Sequence, residues 1–84
     1  MYWRNLILDI LYMSHIQALL FNRDVFSVRQ ANNFLIRNNI EKLKPFHITN
    51  KYIRARLLTP NYKKYQYRKG TIAHGIDCIY EFHK

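Results

Sequence analysis

The sequence predicts an α+β fold: a small antiparallel sheet of three to four strands covered on one face by one capped helix, plus an N-terminal helix. Several short segments alternate apolar and polar residues, as half-buried strands do, and the segment between Ser27 and Asn39 has helical spacing with clear start and stop signals. Because 84 residues suffice for one compact core, we expect residues 14–84 to form a single domain and residues 1–13 to be an extension.

The extension is predicted to be an amphipathic helix, because its apolar residues are spaced three or four apart. They are Trp3, Leu6, Ile7, Ile10 and Leu11. Asp9 interrupts the apolar run, which argues against a membrane span and against a signal peptide. Two interpretations stay open: the stripe completes the core of the domain, or it forms a contact for a partner or a second copy.

A strand and the start of a helix follow. The apolar run from His15 to Phe21 ends at a polar, turn-like cluster and therefore predicts a strand. Ser27 has the features of a helix N-cap, with Gln30 completing a capping box and Phe26 as the apolar residue before the cap.

The body and the end of this helix are also marked in the sequence. Asn39 is expected to take the left-handed conformation after the C-cap, with Ile40 folding back on Leu35 in a Schellman motif. The predicted buried stripe consists of Val28, Ala31, Phe34 and Leu35.

The second half of the chain begins with a basic connection, residues 42–50, in which Phe46 and Ile48 are expected to point toward the core. A strand is predicted from Tyr52 to Leu58, ended by Pro60. Its residues alternate between two faces. The core side is Ile53, Ala55 and Leu57, and the opposite side is Tyr52, Arg54 and Arg56.

Two more strand segments complete the prediction. An alternating segment begins at Tyr65 and leads to Ala73, and His74 and Gly75 form the next turn candidate. The last strand runs from Ile76 to Phe82. Its core face is expected to carry Ile76, Cys78, Tyr80 and Phe82.

The net charge of +9 comes from one part of the chain. No acidic residue occurs between Lys42 and Ile76, a stretch with nine Lys and Arg residues, while five cations and five acids elsewhere cancel. Such a stretch is typical of a surface that binds a polyanion. The single cysteine, Cys78, cannot form an internal disulfide and indicates a reducing compartment.

A set of short motifs, in the order of these elements along the chain, carries a resemblance to a known family. They are Phe26-Ser27, Ala31, Phe34-Leu35, Asn38, Lys51 to Arg56, Pro60, Tyr67-Arg68, Gly75-Ile76 and Ile79. Over residues 14–82 this pattern resembles a small β-α-β-β domain found in tailed-phage structural-module proteins and in reading frames of large nucleocytoplasmic DNA viruses. The resemblance implies the fold and a viral source, and hence a virion or the host cytoplasm. The chain departs from it in the N-terminal extension and at Arg56, where the family often has Gln.

Cations and tyrosines alternate in this basic stretch, and their combination predicts a nucleic-acid-binding face. Arginine offers paired donors to phosphate, and tyrosine offers a surface on which bases stack. Two alternatives stay open: the face docks on an acidic viral protein as an assembly module, or it is only solvated. The predicted site consists of Tyr52, Arg54, Arg56, Lys63, Lys64, Tyr67, Arg68 and Lys69.

We expect no catalysis, no metal and no cofactor. His74, Cys78 and His83 lack the spacing of a metal site, and the few acids are scattered without a nucleophile and base at readable spacing. Gly70 and Gly75 are the two glycines, which excludes a glycine-rich loop for phosphates.

Overall fold

The computed structural model describes residues 15–84, which form a five-stranded antiparallel sheet and one α-helix. The elements are β1 (His15–Asn22), α1 (Val28–Arg37), β2 (His47–Ile48), β3 (Tyr52–Arg56), β4 (Tyr65–Ala73) and β5 (Ile76–His83). The strands lie in the order β2-β3-β1-β5-β4, so the first strand in the chain is the central one. None of the described helices is long and apolar enough to cross a membrane.

The α+β prediction is confirmed in its coarse form, but the sheet has five strands rather than three to four. The additional strand, β2, lies in the segment that the sequence suggested was only a connection. His47 and Ile48 pair there with Arg54 and Ile53 of β3. The predicted N-terminal helix and its apolar stripe lie outside the described residues.

Local capping signals position α1 as predicted. The Ser27 hydroxyl accepts a hydrogen bond from the backbone N–H of Gln30, and the Gln30 side chain accepts one from the backbone N–H of Ser27. At the other end, Asn39 has a φ of 55°, and the backbone N–H of Ile40 donates to the carbonyl of Leu35 at 2.9 Å. These bonds form the predicted capping box and Schellman motif, which satisfy backbone groups that a helix end leaves free.

The core lies between α1 and one face of the sheet. Ala31, Phe34 and Leu35 of the helix are buried there as predicted. The Phe21 ring of β1 contacts the rings of Phe26 and Phe34 edge to face, with centroids 5.3 Å and 5.5 Å away. This aromatic cluster anchors the helix to the central strand.

Strand alternation is also confirmed. In β3 the buried side chains are Ile53 and Ala55, and in β5 they include Ile76 and Cys78 on the core side. Tyr80 packs against the same core cluster.

Two predicted core residues are exposed. Val28 is 43% exposed, because it is the first helical residue and lies beside residues 42–46 rather than over the sheet. Ile48 is 48% exposed, because β2 is the outermost strand, whereas its neighbour Phe46 does pack against the core.

We predict that Phe34→Ala lowers the free energy of unfolding by about 3–5 kcal/mol, since it leaves a cavity under α1. The matched control is Ile36→Ala in the same helix, where the side chain is 65% exposed. It should change stability by no more than about 0.5 kcal/mol. Urea denaturation measures both, and equal effects of the two substitutions would contradict the helix orientation.

Candidate nucleic-acid interface

The face of the sheet opposite α1, here called the outer face, collects five of the eight predicted site residues. Cross-strand register places Arg56 beside Ala18, and Ala18 beside Ile79, whose other neighbour is Lys69. The next row contains Arg54, Leu20, Asp77 and Thr71. Tyr52 and Tyr67 lie on the same face by strand alternation. The two arginines of β3 and the lysine of β4 therefore flank an apolar centre.

A β-bulge in β1 adds a buried polar residue to this face. The pairing with β5 skips Gln17, which is only 1% exposed and follows Ile16, a core residue. The Gln17 side chain donates to the Leu58 carbonyl at 3.0 Å and accepts from the Arg54 guanidinium at 3.1 Å. The bulge turns the Gln17 side chain toward the outer face. Its hydrogen bond there fixes the orientation of Arg54.

A hydrogen-bond network crosses the outer face from β3 to β4. The Tyr52 hydroxyl donates to Asp77 at 2.8 Å and accepts from the Lys69 ammonium at 2.7 Å. Thr71 donates to the other Asp77 oxygen at 3.0 Å. The Lys69 ammonium also lies 4.7 Å from the Tyr52 ring centroid, and that of Lys51 lies 5.4 Å from it. Tyr52 and Lys69 are therefore engaged within the protein.

The network shifts the pKa values of its charged members. Desolvation is the largest single influence on Asp77 and raises its pKa, but hydrogen bonds from Tyr52 and Thr71 and the charge of Lys69 together hold that pKa below its ordinary value of 3.8. The hydrogen bond with the Tyr52 hydroxyl raises the pKa of Lys69, and the Asp77 carboxylate adds to this effect. Both groups are thus charged at neutral pH.

A second polar cluster lies at the end of the outer face near the start of β1. Glu81 is only 7% exposed, and its carboxylate lies 3.2 Å from His15 Nδ1. The Tyr67 hydroxyl donates to Glu81 at 3.3 Å and accepts from the backbone N–H of Asn61 at 2.7 Å. Tyr67 is therefore tethered through its hydroxyl between a strand and the β3–β4 loop.

Arg54 and Arg56 are cations of this face that have no carboxylate within 4.0 Å in residues 15–84. Lys69 is the only Lys or Arg in the described part of the chain with a carboxylate within 4.0 Å. The Nε atoms of both arginines are buried and have no hydrogen-bond partner among the described residues. Their side chains are half-buried beside Ala18 and Leu20, so the aliphatic stems cover apolar surface while the charge stays near the protein surface.

The β3–β4 loop presents Lys63 and Lys64, both exposed, together with a tyrosine that was not among the predicted site residues. Tyr62 is 70% exposed, and its ring meets that of Tyr67 edge to face with centroids 5.2 Å apart. The sequence signal was present, because Tyr62 directly precedes the two lysines. Its exposure and its support by Tyr67 could not be predicted, since they depend on the path of the loop.

Arg68 does not share the outer face, contrary to the prediction that all the cations lie together. It pairs with Tyr80, a core-side residue, and its guanidinium lies 5.3 Å from the Phe82 ring centroid. The reason is the period of two: Arg68 follows Tyr67 and precedes Lys69, so it must point to the other face.

Metal-binding and nucleophilic groups are not gathered at this face. Within residues 15–84, no three His, Cys, Asp or Glu side chains are placed to hold a metal ion. Cys78 lies on the core side, where burial raises the pKa of its thiol and disfavours the reactive thiolate.

We predict that Asp77→Asn lowers stability at neutral pH and weakens its dependence on acid. The folded-state pKa of Asp77 is depressed, so its contribution is complete above the unfolded-state pKa and is lost as pH falls through the folded-state value. Urea denaturation from pH 6 to about pH 2 should therefore show a smaller acid-induced loss in the variant. Asp24→Asn, which removes the same charge from an exposed turn, serves as the control. Identical pH profiles for Asp77→Asn and the parent protein would contradict the network.

Comparisons of the chain with protein-family models, with curated proteins and with solved structures found no match. The resemblance to the viral β-α-β-β domain thus remains a prediction from sequence. The functional argument depends on the geometry of the outer face and its loop.

Proposed function

We propose that this protein is a small, basic, non-enzymatic protein of viral origin that binds single-stranded nucleic acid. Phosphates contact cations of the outer face and the β3–β4 loop, and a base stacks on the loop. The phosphate-binding group comprises Lys51, Arg54, Arg56, Lys63 and Lys64. Lys69 contributes less, because it is already paired with Asp77.

The observation that carries this proposal is the absence of countercharge around Arg54 and Arg56. Arg54 and Arg56 are both half-buried and lie two positions apart on the same strand face, and neither guanidinium has a carboxylate within 4.0 Å among the described residues. Phosphate oxygens are acceptors that match the fork of guanidinium donors. A bound phosphodiester would provide the negative charge that the described residues do not place there.

The stacking partner in this proposal is Tyr62 rather than Tyr52 or Tyr67. The hydroxyls of Tyr52 and Tyr67 are held by carboxylates, and the Tyr52 ring has an ammonium beside it. Tyr62 is exposed and is followed by two exposed lysines, so a base and its neighbouring phosphates could be bound together. Single strands are favoured over duplex because stacking needs an unpaired base.

We predict a strong salt dependence of binding. Five phosphate contacts on a single strand give a slope of log affinity against log salt of about −3.5, and Arg54→Gln with Arg56→Gln should reduce it to about −2. Fluorescence anisotropy with a labelled oligo-dT or oligo-rU measures the slope. The double variant should lose some stability, because the Arg54 bond to Gln17 is weakened, so its melting is followed in parallel.

The matched control is Arg29→Gln with Arg68→Gln, which removes the same charge from the helix side of the protein. This control variant should retain most of the parent protein's slope of log affinity against log salt. If both double variants reduce the slope equally, binding is nonspecific attraction to a basic protein. If the parent protein binds no oligonucleotide even at low salt, the proposal is contradicted, and docking of the basic face on an acidic viral protein becomes the alternative function to test.

We predict that Tyr62→Ala weakens binding to single-stranded oligonucleotides by about 1–3 kcal/mol without changing the salt slope, since stacking releases no counterions. Tyr62→Phe should bind like the parent protein, because stacking needs the ring and not the hydroxyl. A loss of affinity in both variants would show that the hydroxyl acts through a hydrogen bond, and no loss in either would remove Tyr62 from the site.

A further inference from the structure

A cavity on the helix side of the sheet has no role in the proposed interface. It has a volume of about 680 Å³ and lies between the second half of α1 and the β4–β5 hairpin. Its apolar lining includes Phe26, Phe34, Ile72, Ala73 and Ile76. Cavities of this size and character are typical of sites for small organic ligands.

The walls of the cavity are held by close packing. Gly75 of the hairpin turn has a φ of +77°, and a Cβ atom there would lie 2.7 Å from Val25 Cγ1. Only glycine allows the turn to approach the segment before α1 so closely. The rings of Phe26 and Phe34 are fixed by edge-to-face contacts with Phe21. The cavity is therefore formed by rigid elements.

A cation and further polar groups line this cavity. Arg37 and His74 line it and are exposed, no carboxylate lines it, and neither residue has an ion pair in the described structure. Asn38, also in the lining, is 8% exposed, and its Nδ2 donates to the Phe34 carbonyl at 2.8 Å. Its Oδ1 is buried and has no hydrogen-bond partner in the part of the chain that the structure describes, which is costly for a polar atom.

We propose that the cavity binds a small amphipathic organic anion with a flat aromatic body, a carboxylate and one hydroxyl group. The aromatic body lies against Phe26 and Ile72, and the carboxylate faces Arg37 at the rim. The hydroxyl faces Asn38, whose Oδ1 has no hydrogen-bond partner among the described residues. This inference is independent of nucleic-acid binding, because the cavity and the outer face lie on opposite sides of the sheet.

The test is a titration of the intact protein with 6-hydroxy-2-naphthoate, followed by two-dimensional ¹H–¹⁵N NMR. We expect saturable shifts at Asn38, Ile72 and Ala73, with none at Arg54 or Arg56. Neutral 6-hydroxy-2-naphthamide should bind about tenfold more weakly, which corresponds to the loss of one charge-assisted contact. 2-Naphthoate, which lacks the hydroxyl, should also bind more weakly.

Three variants make the outcome decisive. Arg37→Gln should weaken binding of the naphthoate about tenfold, whereas Arg29→Gln, in the same helix but away from the cavity, should not. Ala73→Leu should abolish binding by filling the cavity while the protein stays folded. The proposal is overturned if shifts do not saturate, if they appear on the outer face, or if Arg29→Gln weakens binding as much as Arg37→Gln.

Discussion

Burial of β1 on both of its faces is the constraint on which the rest of the structure depends. Every residue from Ile16 to Phe21 is buried, although α1 covers only one side of the sheet. Among the described residues, the other side is covered by side chains of the sheet itself. On the outer face, arginines of β3 flank Ala18 and Leu20, and a network from Tyr52 through Asp77 to Lys69 spans the remaining width. A burial requirement thus explains why long cationic and aromatic side chains occur there.

The same requirement divides the cations into two groups with different chemistry. Lys69 is paired with Asp77 within the protein. Arg54 and Arg56 shield apolar residues with their stems and have no ion pair among the described residues. A bound nucleic acid would then supply the negative charge that the described residues do not place beside these two arginines. The exposed loop with Tyr62 extends this surface, because Tyr67 holds the loop against the end of the outer face.

Features that depend on local signals could be predicted from the sequence. The capping box at Ser27 and the left-handed conformation of Asn39 could be predicted because their partners lie within a few residues in the chain. Features that depend on distant partners could not be predicted. The two-residue strand β2 exists only because it pairs with β3. The hydrogen bond of the Tyr52 hydroxyl joins it to Asp77, which lies 25 residues away in the chain. The position of Arg68 on the other face from Lys69 could have been predicted, since alternation along β4 already assigns these two residues to opposite faces.

The central claim is that phosphates are bound by the outer face, and side-chain NMR of the arginines tests it most directly. The Nε–Hε groups of Arg54 and Arg56 are buried and lack a hydrogen-bond partner among residues 15–84, so their signals should be resolved and sensitive to an added ligand. On titration with oligo-dT at low salt, the account predicts shifts of these two signals and of the amide of Tyr62, with the Arg29 and Arg37 signals of α1 unchanged. Shifts confined to α1, or none at all, would contradict it.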